Sequence, residues 1–117
     1  MESGAAIERL KEKGYLNDRR FATTWARGRV QTRPMGPHRL SKELETRGVQ
    51  ASLMREVLEE IYEEGEEPVA RRAMASKLSA LGRRSAPSRT AQVARFLHRR
   101  GFSAEIIWRL LHEKPQG

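Results

Sequence analysis

The sequence predicts an all-α protein built from tandem three-helix repeats in an elongated, slightly curved array. Apolar residues recur at helical spacing throughout the 117 residues, and no alternating pattern typical of a β-strand occurs. A helix ending of the form Leu-x-x-(Lys/Arg)-Gly-hydrophobic occurs three times, with its glycine at Gly14, Gly48 and Gly101. Glycine at this position adopts the left-handed conformation that ends a helix, and the repetition indicates a repeated helical unit.

Seven helices are predicted in order along the chain. The first covers residues 3–13, and Asn17 can cap the second, over residues 18–32, because its side-chain oxygen accepts from a free N–H of the first turn. Pro37 starts the third, over residues 37–47, since proline has no N–H to leave unpaired at a helix start. The remaining four are predicted over residues 51–63, 68–81, 87–100 and 104–111.

The second and third of the glycine endings superimpose after a shift of 53 residues, which places Leu44 on Leu97 and Gly48 on Gly101. The apolar positions of the helices on either side follow the same shift, so a helix–turn–helix frame is shared. The predicted divisions are residues 1–14, the last helix of a truncated first repeat, residues 17–64, a second repeat, and residues 67–114, a third.

Charge is unevenly distributed along the chain. The net charge is +8 and the sequence pI about 10.8, yet residues 59–67 hold six acids and no base. Residues 68–117 hold 11 Lys and Arg against two acids. A basic C-terminal half suggests an anionic partner, either nucleic acid or an acidic protein groove, while charge that serves only solubility is the alternative.

Two basic groups lie at equivalent positions of the second and third repeats, each around a turn and the start of the following helix. Arginine is suited to bidentate contacts with carboxylates and phosphates. Such faces are also common on ordinary solvated surfaces, and both interpretations stay open. The candidate partner-binding or DNA-binding residues are Arg33, Arg39, Lys42, Arg83, Arg84, Arg89, Arg95, Arg99 and Arg100.

Phe21 and Trp25 form an aromatic pair four residues apart, directly after the basic Arg19 and Arg20. Aromatic rings beside arginines can form a stacking platform for bases. The favoured interpretation is that the pair belongs to the core, because alanines extend the same helical stripe. The predicted core positions are Phe21, Trp25, Leu40, Leu44, Leu97 and Phe102.

Several functional classes have no support in the sequence. Cysteine is absent, which excludes disulfides and thiolate chemistry, and no apolar run approaches the length of about 20 residues that a membrane span needs. His38, His98 and His112 lack metal-ligand spacing, and no nucleophile–base set can be nominated. We therefore expect a cytoplasmic protein that is not an enzyme and uses neither a cofactor nor a metal.

Three segments resemble signatures of the RecX family of regulatory proteins. Residues 14–22, GYLNDRRFA, are similar to GY(I/L)DDxxFA, with Asn17 in place of the more usual Asp. Residues 36–44, GPHRLSKEL, followed by Arg47-Gly48-Val49, are similar to GPxRLxxEL and (K/R)G(V/I). Residues 96–102, FLHRRGF, resemble FLxRRGF of the third repeat. The resemblance covers nearly the whole chain, although the family usually has three such repeats and most of the first is missing.

The resemblance implies a regulatory function without catalysis. RecX proteins bind the RecA recombinase in the groove of its filament on DNA and restrain its ATPase and strand exchange, and some also contact DNA. The expected partner is therefore the RecA filament, with single- or double-stranded DNA as an additional one, and the protein is expected to be a monomer. The alternative is a helical module that binds DNA directly through its basic face.

Overall fold

The computed structural model describes residues 3–82 and 86–113, with side chains described for residues 11–82 and 88–113. The described residues form α-helices and no β-strand, which confirms the all-α prediction. None of the helices in this part of the chain is both long and apolar enough to cross a membrane. The helices are α1 (Ser3–Thr32), α2 (Pro37–Thr46), α3 (Ala51–Ile61), α4 (Glu67–Leu81), α5 (Ala86–Arg99) and α6 (Ala104–Leu111).

The helices pack into two three-helix units, each around its own core. The first unit combines the C-terminal half of α1 with α2 and α3, and the second combines α4, α5 and α6. The radius of gyration is 18.7 Å, against about 13 Å for a compact domain of this length, so the molecule is elongated as predicted. The buried residues are Ala22, Ala26, Val30, Met35, Leu40, Leu44, Leu53 and Val57 in the first core, and Ala70, Ala73, Leu81, Val93, Leu97, Phe102, Ile106, Ile107 and Leu110 in the second.

Two of the three predicted glycine turns have the expected geometry. Gly48 and Gly101 have φ angles of +81° and +85°. The N–H of Val49 donates to the carbonyl of Leu44 at 3.1 Å, and the N–H of Phe102 donates to that of Leu97 at 3.2 Å. These are the six-residue hydrogen bonds of a Schellman motif, and the hydrophobic residue after each glycine packs back toward the helix that it ends.

The predicted turn at Gly14 is wrong, as is the cap at Asn17, because both residues lie inside the single helix α1. The residue after Gly14, Tyr15, is 37% exposed, whereas Phe102 after Gly101 is 2% exposed. A Schellman turn is usually held by burial of that residue. Tyr15 gains no such burial, and its hydroxyl donates instead to Glu56 of α3 at 2.6 Å from a helical position. The division of the chain into the three predicted repeats stays a prediction.

Replacement of Gly28 by Ala tests the continuity of α1. Gly28 lies in the helix interior, and a Cβ added there would have nothing within 4 Å. Alanine loses less backbone entropy than glycine in a helix, so we expect Gly28→Ala to raise the free energy of unfolding by about 0.5–1 kcal/mol. Urea unfolding followed by circular dichroism measures this change. A loss of stability would argue against an uninterrupted helix at this position.

Burial agrees with four of the six predicted core positions and partly with a fifth. Leu40, Leu44, Leu97 and Phe102 are buried. Trp25 is half-buried against the first core, and the guanidinium of Arg47 lies 4.4 Å from its ring centroid.

Phe21 is the exception among the predicted core residues, because it is 72% exposed. The buried stripe of α1 runs through Ala22, Ala26 and Val30, and these small side chains let α2 and α3 approach closely. Phe21 lies at the edge of that stripe, outside the reach of both helices, so its assignment to the core is wrong.

Candidate partner-binding surface at the junction between the units

The two units meet where the connection between α1 and α2 contacts the glycine turn between α5 and α6. The N–H of Gly36 donates to the carbonyl of Arg100 at 2.7 Å, and the N–H of His38 donates to that of Gly101 at 3.1 Å. The first turn of α2 thus has part of its free N–H groups satisfied by the neighbouring unit. These backbone bonds fix the position of one unit against the other.

Glycine is required on both sides of this contact because the backbones approach so closely. A Cβ at Gly36 would lie against the Gly101 carbonyl and within 2.6 Å of the Phe102 Cα. A Cβ at Gly101 would lie against the backbone of Arg39, with the Arg39 Cα at 2.9 Å. No side chain fits between the two segments without a shift of the backbone.

Side chains add further contacts between the units. The guanidinium of Arg100 donates to the Pro34 carbonyl at 2.7 Å, and that of Arg72 donates to the Gln31 carbonyl at 3.0 Å. Val69 at the start of α4 packs against both cores. The junction is therefore a packed and hydrogen-bonded interface.

The same approach brings basic side chains from the two units together. Arg29 and Arg33 come from the end of α1, Arg39 from α2, and Arg100 from the end of α5. The pKa of Arg100 is lowered, first by burial and then by the positive charges of Arg33, Arg39 and Arg29. With the adjoining Lys42, which lines a surface groove with Arg29 and Arg39, we call this set of five residues the basic junction.

Glu43 is the acid paired with the basic junction. Its carboxylate accepts from Arg29 through both oxygens, at 2.6 and 3.3 Å, and from Arg39 at 3.1 Å. The hydrogen bond from Arg29 is the main reason that the pKa of Glu43 is lowered, with a further contribution from Arg39. One carboxylate cannot balance five cations, and Arg33 has no carboxylate within ion-pair distance among the described residues. The surface is therefore suited to an anionic partner.

Replacement of Glu43 by Gln tests this charge balance. The folded-state pKa of Glu43 lies below its ordinary value, so its stabilising contribution is present above the unfolded pKa and is lost as the pH falls through the folded one. We expect Glu43→Gln to lower the free energy of unfolding by about 1–2 kcal/mol at neutral pH, and the difference to shrink below about pH 4. Urea midpoints of both proteins across this range measure the effect, and a difference that does not depend on pH would contradict it.

The structure places the predicted binding residues at different sites. Arg33, Arg39, Lys42 and Arg100 come together in the basic junction. The other group does not join them, since Arg95 and Arg99 line a shallow depression on α5 with Ala94 and His98. Arg89 is half-buried, and Arg83 and Arg84 lie outside the described residues.

Arg29 is not among the binding residues predicted from the sequence, although its position in the last turn of α1 could have indicated it. Arg33 follows it by four residues, which is the spacing of neighbours on one helix face. The described residues contain no group of three or more His, Asp or Glu that could hold a metal ion.

A family model and curated proteins that match this chain carry the same family name. Residues 17–58 match the family model described as RecX, second three-helix domain. The curated protein "Regulatory protein RecX" of Trichlorobacter lovleyi is 36% identical over 115 residues, which cover 97% of this chain and 74% of the relative. The protein of the same name from Streptomyces coelicolor is 32% identical over 107 residues, or 92% of this chain. This chain spans only 57% of the length of the Streptomyces coelicolor relative. No solved structure matches this chain.

Proposed function

The chain belongs to the RecX family of regulatory proteins, and from this premise we propose that it binds the RecA–DNA filament and restrains the ATP hydrolysis and strand exchange of RecA. The observation that supports the proposal most directly is the basic junction, where five cations from two units lie close together and only Arg29 and Arg39 pair with a carboxylate among the described residues, that of Glu43. Such a surface fits the acidic walls or the DNA phosphates of a filament groove.

The elongated arrangement of the units supports the same proposal. Two units fixed end to end by the Gly36–Gly101 contact present their surfaces along one line. A ligand with repeated subunits can then be contacted at successive positions. Several weak contacts add up through effective concentration, since the second contact forms within an existing complex.

DNA-stimulated ATP hydrolysis by RecA tests the proposed function. RecA is assembled on single-stranded DNA, and this protein is added from sub-stoichiometric to equimolar amounts. The expected result is a dose-dependent fall in the rate of ATP hydrolysis. A rate that does not change across this range contradicts the proposal.

Direct binding to nucleic acid is the second candidate function. It is favoured by the depression on α5, where Arg95 and Arg99 have no carboxylate partner in the part of the chain that the structure describes. Arginines of this kind can neutralise phosphates on a strand that follows the helix surface.

The salt dependence of DNA binding measures this second function. Each phosphate that is neutralised on single-stranded DNA contributes about −0.7 to the slope of log affinity against log salt. We expect the double substitution Arg95→Gln and Arg99→Gln to make the slope shallower by about 1.4. Fluorescence anisotropy with a labelled oligonucleotide gives both slopes. An identical slope for the two proteins would show that this face of α5 is only solvated.

A further inference from the structure

The outer face of α6 carries an exposed tryptophan. Trp108 is 65% exposed, and no other large hydrophobic residue is exposed in the part of the second unit that the structure describes. The opposite face of the helix, with Ile106, Ile107 and Leu110, is buried in the second core. Trp108 therefore stands on a helix that the core holds in place, and a large aromatic ring in such a position is typical of an anchor residue in a protein interface.

The ring of Trp108 is held in one orientation by His112. The two rings are stacked, with their centroids 4.3 Å apart and their planes at 18°. The Nδ1 of His112 donates to the Trp108 carbonyl at 2.8 Å, which fixes the imidazole against the helix end. A partner that binds a ring already held in place loses less side-chain entropy. Because the ring is 65% exposed although His112 covers one of its faces, its other face is open to solvent.

The charges on this side of the second unit differ from those of the basic junction. Glu105 precedes the tryptophan by three residues, which places the two on one helix face, and it pairs with Arg109 at 3.0 Å. Just beyond the helix, Glu113 accepts from Arg71 at 2.6 and 2.9 Å, and Arg71 also pairs with Glu67 at 3.1 Å. Three carboxylates against two guanidinium groups leave a formal charge of −1, although the whole chain carries +8.

This distribution favours a cationic group over a nucleic-acid strand. The phosphates of a strand would lie beside carboxylates, and both guanidinium groups here are already paired. The open face of an indole ring attracts cations through its quadrupole. The side chain of Glu105 is 79% exposed, and an ion pair as exposed as the one with Arg109 contributes little stability. The Glu105 carboxylate is therefore free to share a second cation that lies over the ring.

We propose that the open face of Trp108 binds an arginine or lysine side chain of a protein partner, with Glu105 as the carboxylate that pairs with it. The inference rests on the proposed function in one respect, since the partner is taken to be a RecA subunit. We call Trp108, Glu105 and His112 the Trp108 surface. The basic junction takes anionic groups and the Trp108 surface takes a cationic one, so the partner can bind in one orientation only.

The Trp108 surface and the basic junction belong to one rigid body. Helix α6 follows the glycine turn that contacts Gly36, and its N-cap, Ser103, is held at both ends. The N–H of Ser103 donates to the Glu66 carboxylate at 2.9 Å, and its hydroxyl accepts from the Ile106 N–H. Trp108 lies five residues further, ~8 Å along the helix axis. One partner subunit can therefore contact both surfaces.

Substitutions at Trp108 test the proposal through the inhibition of DNA-stimulated ATP hydrolysis by RecA. Trp108→Leu keeps an apolar side chain without a π face, and we expect it to raise the concentration for half-maximal inhibition about tenfold. Trp108→Phe keeps a π face and should raise this concentration only about threefold. The matched control is Phe21→Leu, which removes a ring that is 72% exposed on α1 and should change inhibition less than twofold.

Equal losses in Trp108→Leu and Phe21→Leu, or equal losses in Trp108→Leu and Trp108→Phe, overturn the proposal. Glu105→Gln leaves the ring in place and should raise the concentration for half-maximal inhibition about threefold, and an unchanged value contradicts the role of its carboxylate. Circular dichroism and urea midpoints confirm that each variant is folded.

A second measurement separates a protein partner from DNA. The affinity for a labelled oligo-dT strand, measured by fluorescence anisotropy, should be the same for Trp108→Leu and the unmodified protein. A loss of oligo-dT affinity would show that the ring stacks on bases, which contradicts the proposal. If the unmodified protein does not inhibit RecA, the proposed function fails and the inference fails with it. If the unmodified protein inhibits and Trp108→Leu inhibits equally well, only the inference about Trp108 fails.

Discussion

Replacement of Gly36 by Ala is expected to lower the free energy of unfolding by about 2–3 kcal/mol, because one added methyl group cannot be placed between the two units. The φ angle of Gly36 is −88°, which alanine adopts freely. The expected loss therefore comes from the contact with Gly101 and Phe102 and not from the local backbone. Urea unfolding followed by circular dichroism gives the change.

The matched control is Gly28→Ala, which adds the same methyl group to α1 in open space. It should stabilise the protein while Gly36→Ala destabilises it. Because the junction holds the units together, Gly36→Ala should also separate their unfolding into two transitions. Equal and small effects of both substitutions would show that the units do not approach each other closely.

Replacement of Arg33 by Glu is expected to raise the concentration needed for half-maximal inhibition of RecA by about tenfold, equivalent to ~1.4 kcal/mol of binding free energy. Arg33 is exposed and pairs with no carboxylate among the residues that the structure describes, so its reversal breaks no ion pair there. The change instead places a negative charge among Arg29, Arg39 and Arg100, where an anionic partner would bind.

Arg55→Glu is the control for this charge reversal. Arg55 is exposed on α3 and does not line the groove formed by Arg29, Arg39 and Lys42, and its reversal changes the net charge by the same amount. Inhibition should be nearly unchanged in Arg55→Glu, and both variants should keep the circular dichroism spectrum of the unmodified protein. If the two variants weaken inhibition equally, only the total charge matters and the basic junction has no specific role.

Local patterns in the sequence predicted several helix starts and ends, because these depend on residues close to one another in the chain. The turns at Gly48 and Gly101 follow from the glycine, the preceding basic residue and the hydrophobic residue after them. Pro37 starts α2 as predicted, and Ser103 accepts from the Ile106 N–H as the N-cap of α6. These features depend on residues within one helical turn, so the sequence is sufficient to find them.

The error at Gly14 shows where such patterns fail. Its ending has the same form as the other two, but Tyr15 is 37% exposed where Phe102 is 2% exposed, so burial of the residue after the glycine favours a turn less at Gly14 than at Gly101. Glycine inside a helix costs only about 1 kcal/mol relative to alanine, which the remaining hydrogen bonds of a 30-residue helix can offset. The assignment of Phe21 to the core is wrong for a related reason, since helical spacing does not show which side of an apolar stripe the neighbouring helices cover.

The basic junction could be predicted only in part. The sequence shows two separate basic groups, and one residue of the second group, Arg100, packs against the first through a contact between Gly36 and Gly101, 65 positions apart. Tertiary contacts of this kind leave no periodic signal. The only local features that belong to the Gly36–Gly101 contact are a Gly-Pro pair in one unit and a glycine turn in the other.

Photo-cross-linking on a RecA–DNA filament tests the central claim most directly. A benzoylphenylalanine placed at Arg33 or Arg39, on the basic junction, should cross-link to the filament, and the same group placed at Arg55 should give little product. Cross-links from all three positions in equal yield, or from Arg55 alone, would contradict the assignment of the basic junction as the surface that contacts the filament.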